Sequence, residues 1–424
     1  MRSVLFQIIL FVFFIVSQTY SQNLWEKIPS PTTRNLQKLT FTDSLNGWAV
    51  GDSGTIIHTS DAGNTWNIQN SGVSLNLQSL SFPNKNIGWT LAWTTSPPYG
   101  TVILNTLDGG NSWKNKFFNG QDVFLNSIYF VDSLHGWIGG NYNGILYTTD
   151  GGQIWNQSVI DSLAGFPIYN FVFANKDYGF ASGGSTDFMG VIYKTTDGGK
   201  NWTGKSVAAD PIQKIYFFDS TNIVGIGGDL EFGAGFINTT DAGAKWVYRT
   251  LNIYGTGLGL SFRTSSEAWV PIKGGFFGRF IVTYDYGNNW NEYITPDSLF
   301  MSDVIFTDSL HGFAVGLNGA ILKYKGVLTS VQESTIVPSY FTLKQNYPNP
   351  FNPSTTISFI IAEKANVKLK IYDIMGREVK SFEQEMETGE HKFKFISENL
   401  PSGVYIYTLI ANNNRGSKKM IILK

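Results

Sequence analysis

Apolar and polar residues alternate in short stretches along most of this chain, and one alternating stretch recurs. An apolar residue, any residue and a phenylalanine follow one another seven times, ending at Phe41, Phe82, Phe130, Phe173, Phe217, Phe262 and Phe306. Alternation with a period of two predicts a β-strand that is buried on one face. A turn and a glycine-aromatic pair follow five of these strands, and looser versions follow the other two. Each repeat therefore begins with two predicted strands.

A second motif occurs in phase with the first and consists of Thr-x-Asp-x-Gly with tryptophan three residues after the glycine. It occurs six times, with its aspartate at Asp61, Asp108, Asp150, Asp197, Asp241 and Asp285, at spacings of 47, 42, 47, 44 and 44 residues. Aspartate in a turn accepts hydrogen bonds from its own backbone, and glycine allows the positive φ of a tight hairpin. Tryptophan has a large apolar face to bury. These properties explain the motif without a ligand, so we interpret the six aspartates as structural.

The two motifs together predict four strands per repeat, which is the composition of a β-propeller blade. The seventh repeat has only three strands, ending at residues 320–324, and lacks the aspartate turn and the tryptophan strand. Residues 24–28, Leu-Trp-Glu-Lys-Ile, precede the first repeat and have the character of the missing strand. We therefore expect an all-β fold with a seven-bladed propeller at residues 22–326, closed by an N-terminal strand that removes an unpaired edge.

The repeat unit resembles two known groups of propellers. Its aspartate turn resembles the Asp box, or BNR repeat, of sialidases and sortilins, in which the box is a structural turn far from the catalytic centre. The whole unit is similar to photosystem II stability/assembly factor-like propellers, most clearly at residues 41–51 and 306–316. The resemblance implies the fold and leaves the ligand open, because one fold serves many functions.

The periodicity ends after Gly326, and a Ser/Thr/Val-rich linker at residues 327–340 leads into a different module at residues 341–424. Its short alternating stretches predict a small Ig-like β-sandwich. The module resembles the C-terminal sorting domain of the type IX secretion system, on the segments 346–351, 371–379, 400–405 and 418–424. This resemblance implies that the module is recognised by the type IX secretion machinery and that the protein is secreted or held on the outer surface of a bacterium. An ordinary Ig-like accessory domain is the alternative.

The N-terminus has the pattern of a signal peptide at residues 1–21. A short basic start precedes an apolar stretch at residues 4–16, and small residues occupy a cleavage site before Gln22. The alternative is an uncleaved membrane anchor, but the apolar stretch is shorter than the roughly 20 residues that a spanning helix needs. We expect export through the periplasm and no integral membrane segment after cleavage.

Composition narrows the range of functions. The chain has 31 Lys and Arg against 32 Asp and Glu, a net charge of −1, so no overall field favours nucleic acid. It has no cysteine, which excludes disulfides, thiol catalysis and thiolate metal sites. None of its four histidines has the spacing of a metal-ligand pair, and no loop has a phosphate-binding pattern. We expect no metal and no cofactor.

No catalytic residue stands out in the sequence. A sialidase needs three arginines to bind a carboxylate, and the propeller contains only Arg34, Arg249, Arg263 and Arg279. Xyloglucanase-type hydrolases share the aspartate-turn repeat but form their cleft between two propellers, whereas this sequence predicts a single propeller. A secreted glycan-active hydrolase or lyase stays open as an alternative, because paired carboxylates on different blades leave no spacing signature.

The loops between the second and third strands of each repeat differ most from one another and combine aromatic with charged residues. This composition is typical of recognition surfaces. We expect a non-catalytic protein that binds a peptide, a protein or a glycan there, although the loops would look the same if they only covered the blade ends or if the propeller were a structural spacer. The candidate ligand-binding residues are Trp93, Tyr99, Asp187, Phe188, Asp229, Glu231, Phe232, Lys273, Phe276, Phe277 and Arg279.

Overall fold

A computed structural model describes residues 24–118, 123–141, 144–325, 342–344, 346–361, 364–373, 375–397, 400–412 and 414–423. The predicted signal peptide, residues 1–21, and the predicted linker, residues 327–340, lie outside the described residues. The chain divides into two compact units, Met1–Leu328 and Thr329–Lys424.

The described part of the N-terminal unit contains seven mainly antiparallel sheets, numbered here in chain order, and three short 3₁₀ helices. The helices are Asp52–Gly54, Pro296–Ser298 and Leu317–Gly319. The strands are β1 (Trp25–Lys27); in sheet 1, β2 (Leu36–Phe41), β3 (Gly47–Gly51), β4 (Thr55–Thr59) and β5 (Asn67–Asn70); in sheet 2, β6 (Leu77–Ser81), β7 (Gly88–Thr94), β8 (Gly100–Thr106) and β9 (Lys114–Phe117); in sheet 3, β10 (Leu125–Phe130), β11 (Gly136–Gly140), β12 (Ile145–Thr148) and β13 (Asn156–Gln157); in sheet 4, β14 (Val159–Ile160), β15 (Ile168–Phe173), β16 (Gly179–Ser185), β17 (Met189–Thr195) and β18 (Asn201–Ala208); in sheet 5, β19 (Ile212–Phe217), β20 (Ile223–Gly228), β21 (Ala234–Thr239) and β22 (Val247–Thr250); in sheet 6, β23 (Thr256–Gly257), β24 (Ser261–Phe262), β25 (Ala268–Lys273), β26 (Arg279–Thr283) and β27 (Asn291–Ile294); and in sheet 7, β28 (Met301–Phe306), β29 (Gly312–Gly316) and β30 (Ile321–Tyr324).

The seven sheets follow one another around a ring. The first strands of sheets 1 to 5 pack against one another in chain order, sheet 6 packs against sheets 5 and 7, and β28 of sheet 7 packs against β2 of sheet 1. The N-terminal strand β1 pairs with β30, with Trp25 opposite Tyr324. The predicted all-β class is confirmed, and the arrangement is propeller-like.

Two sheets differ from the predicted four continuous strands. β14 adds a parallel fifth strand to the outer edge of sheet 4, pairing Val159 with Asn201, because the eight-residue β18 is longer than any other outer strand of the unit and offers an edge to cover. In sheet 6 the first strand is split into β23 and β24. Pro271 on the neighbouring β25 has no N–H to donate at this point, and its carbonyl accepts from Leu258 N at 3.0 Å.

Aromatic rings hold neighbouring sheets together. The ring of Phe173 in sheet 4 stacks on Trp137 of sheet 3 with centroids 3.5 Å apart. The same ring lies so close to Gly179 of its own sheet that a Cβ there would meet it at 2.3 Å, so this position requires glycine. Where sheet 7 meets sheet 1, Phe313 stacks on Phe41 at 4.8 Å. The recurring phenylalanine and glycine-aromatic motifs are therefore parts of one repeated contact.

The C-terminal unit has two antiparallel sheets around one hydrophobic core. One sheet has the order β31-β32-β35 and the other the order β34-β33-β36-β37. Alternate residues of β32 are buried, and both sheets contribute to the core, for example with Phe359 and Leu409. The strands are β31 (Thr342–Leu343), β32 (Ser354–Ile361), β33 (Ala365–Asp373), β34 (Glu378–Met386), β35 (Gly389–Ile396), β36 (Gly403–Ala411) and β37 (Asn414–Ile422).

Candidate functional site

The sheets of the N-terminal unit have two ends with different connections. At the first end, called here the Asp-turn end, the turn after the first strand meets the aspartate turn after the third. In sheet 1 this contact is a hydrogen bond from Ala62 N to Leu45 O of 3.1 Å. At the other end, called here the loop end, lie the loops between the second and third strands and the connections from one sheet to the next.

Each aspartate at the Asp-turn end accepts hydrogen bonds within its own turn. Asp108 accepts from Thr106 Oγ1 at 2.8 Å, from Ser112 N at 2.9 Å and from Ser112 Oγ at 2.6 Å, while Gly110 N donates to Thr106 Oγ1 at 2.8 Å. The side-chain and backbone hydrogen bonds from Ser112 lower the pKa of Asp108 to about 2. The same bonds from threonine and backbone occur at all six positions, Asp61, Asp108, Asp150, Asp197, Asp241 and Asp285.

At the loop end the structure brings together two predicted site residues, Asp187 of sheet 4 and Asp229 of sheet 5. A third carboxylate, Asp210, joins them from the connection between these sheets, and one oxygen of each lies within 4.8 Å of the others. Asp229 Oδ1 accepts from the backbone N–H groups of Glu231 at 3.0 Å and Phe232 at 2.6 Å, which fixes its loop. The sequence analysis missed Asp210, which has no recurring motif around it and only the following proline as a loop signal.

An aromatic patch lies beside these carboxylates, on the loop ends of sheets 5 and 6. It comprises the exposed residues Leu230, Phe232, Tyr254, Phe276 and Phe277. Phe276 is 94% exposed, and Phe232 and Phe277 are 59% and 57% exposed. The loops touch at Gly274, where a Cβ would lie 2.8 Å from Leu230 Cδ2 and 3.4 Å from Tyr254 Cε1. Leu230 and Tyr254 were not predicted, because single apolar residues in loops carry no signal of their own.

Three other predicted residues lie on the loop ends of sheets 4 to 6 and have solvent-exposed side chains. Phe188, on the same loop as Asp187, is exposed and stacks on Phe166 with centroids 5.7 Å apart. Glu231 and Lys273 are exposed on the loops of sheets 5 and 6. Charged and aromatic side chains are therefore both exposed at the loop ends of sheets 4 to 6.

The predicted residue Arg279 is buried in this region and engaged with its own loops. Its guanidinium donates to Gly274 O at 3.1 Å and to Tyr254 O, and its Nε lies 3.3 Å from Glu292. Arg279 thus ties together the loops that carry the aromatic patch.

Trp93 and Tyr99 lie on sheet 2, which sheets 3 and 4 separate from sheet 5 along the ring. Trp93 Nε1 donates to Leu125 O at 2.7 Å, and the ring meets Phe124 edge to face. Tyr99 is exposed. The structure therefore does not bring these two predicted residues to the aromatic patch.

A further set of polar side chains, which the sequence analysis did not identify, lies beside the bulge near the start of the first strand in every sheet of the unit except sheet 6. Examples are Lys38, Asn170, Lys214 and Asp303. Asp303 Oδ2 of sheet 7 accepts from Leu39 N of sheet 1 at 3.3 Å, and Asn170 makes the equivalent bond to sheet 5. Burial lowers the pKa of Lys214, and the charge of Asp303 opposes this shift. Asp303 and Asn170 thus link neighbouring first strands around the ring.

The arginines of the propeller do not converge on one site. Arg263 pairs with Glu267 and donates to Ser309 O at 2.8 Å at the Asp-turn end of sheet 6. Arg279 lies at the loop end of the same sheet. Binding of a carboxylate by several arginines, as in a sialidase, would require these side chains at the same end of the unit.

Family models match both units. A model described as photosynthesis system II assembly factor YCF48 matches residues 17–119 and 76–228. A second, described as a secretion system C-terminal sorting domain, matches residues 345–423. The two resemblances inferred from the motifs are confirmed. In the described part of the chain, no helix has the length and hydropathy to cross a bilayer.

Individual proteins support the same relationship. The photosystem II assembly lipoprotein Ycf48 of Synechococcus sp. (strain CC9902) is 25% identical over 322 residues, which cover 73% of this chain and 90% of that protein. A solved structure of YCF48 bound to D1 peptide has a TM-score of 0.57 at 22% identity, covering 71% of this chain and 97% of its own. The GH74 xyloglucanase of Xanthomonas campestris also has a TM-score of 0.57, at 11% identity, with 80% of this chain and 59% of that chain covered. At these identities the structural matches show the fold alone.

Proposed function

This chain belongs to the photosynthesis system II assembly factor YCF48 family and ends in a secretion-system sorting domain, and on that premise we propose that it is a secreted or cell-surface, non-catalytic propeller that binds an extended protein segment at its loop end. The observation that carries the proposal is the aromatic patch. Five exposed apolar side chains on touching loops form a surface that water solvates poorly, and such surfaces mark interaction sites on soluble proteins.

The architecture that we propose for this function is a ring of seven blades at residues 22–326. Strand β1 completes the seventh blade through its pairing with β30, and the buried Trp25 supports this role by packing against Trp269, Phe280, Phe306 and Tyr324. The aspartate turns hold the outer strands and take no part in binding. This division leaves the loop end free to vary without loss of the fold.

The proposed location follows from the two ends of the chain. Residues 1–21 are removed as a signal peptide on entry into the periplasm. Residues 341–424, with the two-sheet unit that we interpret as an Ig-like sandwich, contact the type IX secretion machinery during passage across the outer membrane. The binding unit then acts outside the cell, either released or attached to its surface.

A protein segment is favoured over a glycan as the ligand. Rigid aromatic side chains bury a large area at little entropic cost and dominate binding energy at protein interfaces. A solved relative, YCF48, is described in complex with a D1 peptide, so the fold of this family accommodates a peptide ligand. The patch of this chain combines Phe232 and Phe277 with the polar backbone of neighbouring loops, which suits an extended chain with apolar side chains.

The alternative, a glycan-active hydrolase, has the GH74 xyloglucanase among its structural neighbours. A glycosidase needs two carboxyl groups that face the sugar. The carboxylates that lie together here are unsuited to this task, because Asp210 and Asp229 are only 2% and 5% exposed. The binding function therefore has the stronger support.

Capture of peptides from an array tests the proposal. The mature chain is applied to an array of extended peptides of varied apolar and charged content, with glycans on the same support. We expect capture of apolar peptides, and at least about tenfold weaker binding by Phe277→Ala, since buried aromatic anchors carry most of the energy at such interfaces.

Tyr286 provides a matched control. It lies in the same sheet as Phe277 and is equally exposed, at 57%, but at the Asp-turn end. Tyr286→Ala should leave capture unchanged. Equal loss with both variants, capture of glycans alone, or cleavage of any captured ligand in a product assay would contradict a peptide-binding loop end.

A further inference from the structure

Three carboxylates from three separate segments converge at the loop end between sheets 4 and 5. Asp187 lies between β16 and β17, Asp210 between β18 and β19, and Asp229 between β20 and β21. One oxygen of each lies within 4.8 Å of the other two. Like charges at this separation repel one another, so the arrangement needs a compensating positive charge or a proton.

Asp210 provides a second and independent observation. Its side chain is 2% exposed, and neither carboxylate oxygen makes a hydrogen bond of normal geometry to the residues that the structure describes. A buried charged group is normally paired or bound to a metal. Burial and the charges of Asp229 and Asp187 raise the pKa of Asp210, which contrasts with the lowered pKa of Asp108 in its aspartate turn.

Among the residues that the structure describes, no side chain supplies the compensating charge. None of the ion pairs in the described part of the chain involves Asp187, Asp210 or Asp229. The phenol of Tyr248 also faces the cluster, and its pKa is raised by burial and by the charges of Asp210 and Asp229. The cluster is thus a concentrated negative charge with one buried, unpartnered member.

The donor set decides which ion fits. All three side chains offer carboxylate oxygen, which suits hard cations and disfavours zinc and copper. The three oxygens, each within 4.8 Å of the others, form a group that could hold one hard cation. Calcium accepts six to eight oxygen ligands in a flexible geometry, whereas magnesium demands a near-ideal octahedron and keeps several waters, so three carboxylates from separate loops favour calcium.

We propose that Asp187, Asp210 and Asp229 bind one calcium ion, which joins the loops of sheets 4 and 5. Backbone carbonyls and water complete its coordination. The site goes beyond peptide binding, since it requires no peptide, but it fixes the loops that carry Phe188 and Phe232. Outside the cell, calcium modules work with dissociation constants of about 10⁻⁴ to 10⁻³ M, and we expect this range here.

Titration calorimetry of the mature chain, freed of metal by EDTA and dialysed, tests the site directly. We expect one calcium ion per chain, affinity weakened at least about tenfold in Asp187→Asn, and no measurable binding in Asp210→Asn, because the charge of the ligands sets calcium affinity. Asp177→Asn is the matched control. Asp177 lies at the Asp-turn end of the same sheet and pairs with Lys176, so its loss should leave the titration unchanged.

Thermal unfolding provides a readout that does not depend on heat of binding. Calcium at tenfold excess over its dissociation constant should raise the Tm of the wild-type protein by about 3 °C and leave that of Asp210→Asn unchanged. If Asp210→Asn fails to fold, the exposed Asp187 still tests the site. No binding with calcium up to about 10 mM, wild-type affinity in both variants, or an equal response to magnesium or to sodium chloride of matched ionic strength overturns the proposal.

Discussion

The two ends of the propeller use the same residue, aspartate, in opposite ways. At the Asp-turn end, Asp108 accepts three hydrogen bonds inside its own turn, and its pKa falls to about 2. At the loop end, Asp210 is buried without a hydrogen-bond partner in the described structure, and its pKa is raised. A satisfied carboxylate stabilises a turn, while an unsatisfied one destabilises the fold unless something binds to it.

The aromatic residues show the same contrast. Trp137 is buried between sheets, with its indole N–H donating to Gly198 O at 2.9 Å near the Asp-turn end. Phe276 at the loop end is 94% exposed. The repeated residues therefore hold the sheets together, and the irregular ones remain available to a ligand. This division predicts that substitutions at the two ends change the stability of the fold by different amounts, and in one case in opposite directions.

The largest expected difference is between Trp137→Ala and Phe276→Ala. Removing the Trp137 ring takes away its stack on Phe173 and leaves a cavity between sheets 3 and 4, so we expect a loss of about 3–5 kcal/mol in unfolding free energy. Phe276→Ala removes an exposed side chain and should change this free energy by no more than about 0.5 kcal/mol. Urea unfolding followed by tryptophan fluorescence and circular dichroism measures both.

Trp137→Phe is the control for the first substitution, because it keeps an aromatic ring beside Phe173 while it loses the hydrogen bond to Gly198 and only part of the indole volume. The unfolding free energy that Trp137→Phe loses should lie between the losses of Trp137→Ala and Phe276→Ala. If Phe276→Ala were as destabilising as Trp137→Ala, the loop end would be part of the scaffold.

Much of the fold was predictable because each recurring residue has a local physical reason. Phe173 and Gly179 fit each other within one sheet, and counting the repeats identified the strand of Trp25, which pairs with β30. The strand β14 was missed, since Val159–Ile160 is too short to show any periodicity. The split of the first strand of sheet 6 into β23 and β24 was also missed. Pro271 in the sequence indicated that the neighbouring strand would lack one backbone hydrogen-bond donor.

The candidate site was less predictable. Loop composition pointed to Asp187 and Asp229 separately, but their meeting depends on how two sheets pack, which no local pattern encodes. Asp210 was missed for the same reason, since it lies in an inter-sheet connection without a recurring motif. Arg279 had the chemistry of a ligand-binding residue, yet the structure buries its guanidinium against Gly274 and Tyr254.

Replacing a carboxylate by an amide should change the free energy of unfolding by an intermediate amount, with opposite signs at the two ends. Asp197→Asn should lower the free energy of unfolding by about 1 kcal/mol, because an amide cannot accept all the bonds from Thr195 and Asn201. Asp210→Asn, measured in EDTA at neutral pH, should raise it by removing a buried unpartnered charge. Urea unfolding of both variants and of the wild-type protein gives the comparison.

The control for this pair is Asp177→Asn, which removes an exposed charge from sheet 4 and should have little effect. A loss of stability in Asp210→Asn, equal to that in Asp197→Asn, would mean that both carboxylates have hydrogen-bond partners and would remove the contrast between the ends.

The smallest expected effect is the pH dependence of stability, measured as urea midpoints from neutral to acid pH in EDTA. Hydrogen bonds from Thr65 and Ser112 hold the pKa values of Asp61 and Asp108 at about 2, below the value of about 3.9 in the unfolded chain. Their contribution to the free energy of unfolding is therefore present above pH 4 and is lost as the pH falls toward 2.

Asp210 faces Asp187, Asp229 and Tyr248, and its raised pKa has the opposite consequence. Its contribution to stability is present in acid and is lost as the pH rises through its pKa in the folded protein. The advantage of Asp210→Asn over the wild-type protein should accordingly be greatest at neutral pH and shrink in acid, whereas an advantage that stays constant with pH would show that the charge of Asp210 is not its cause.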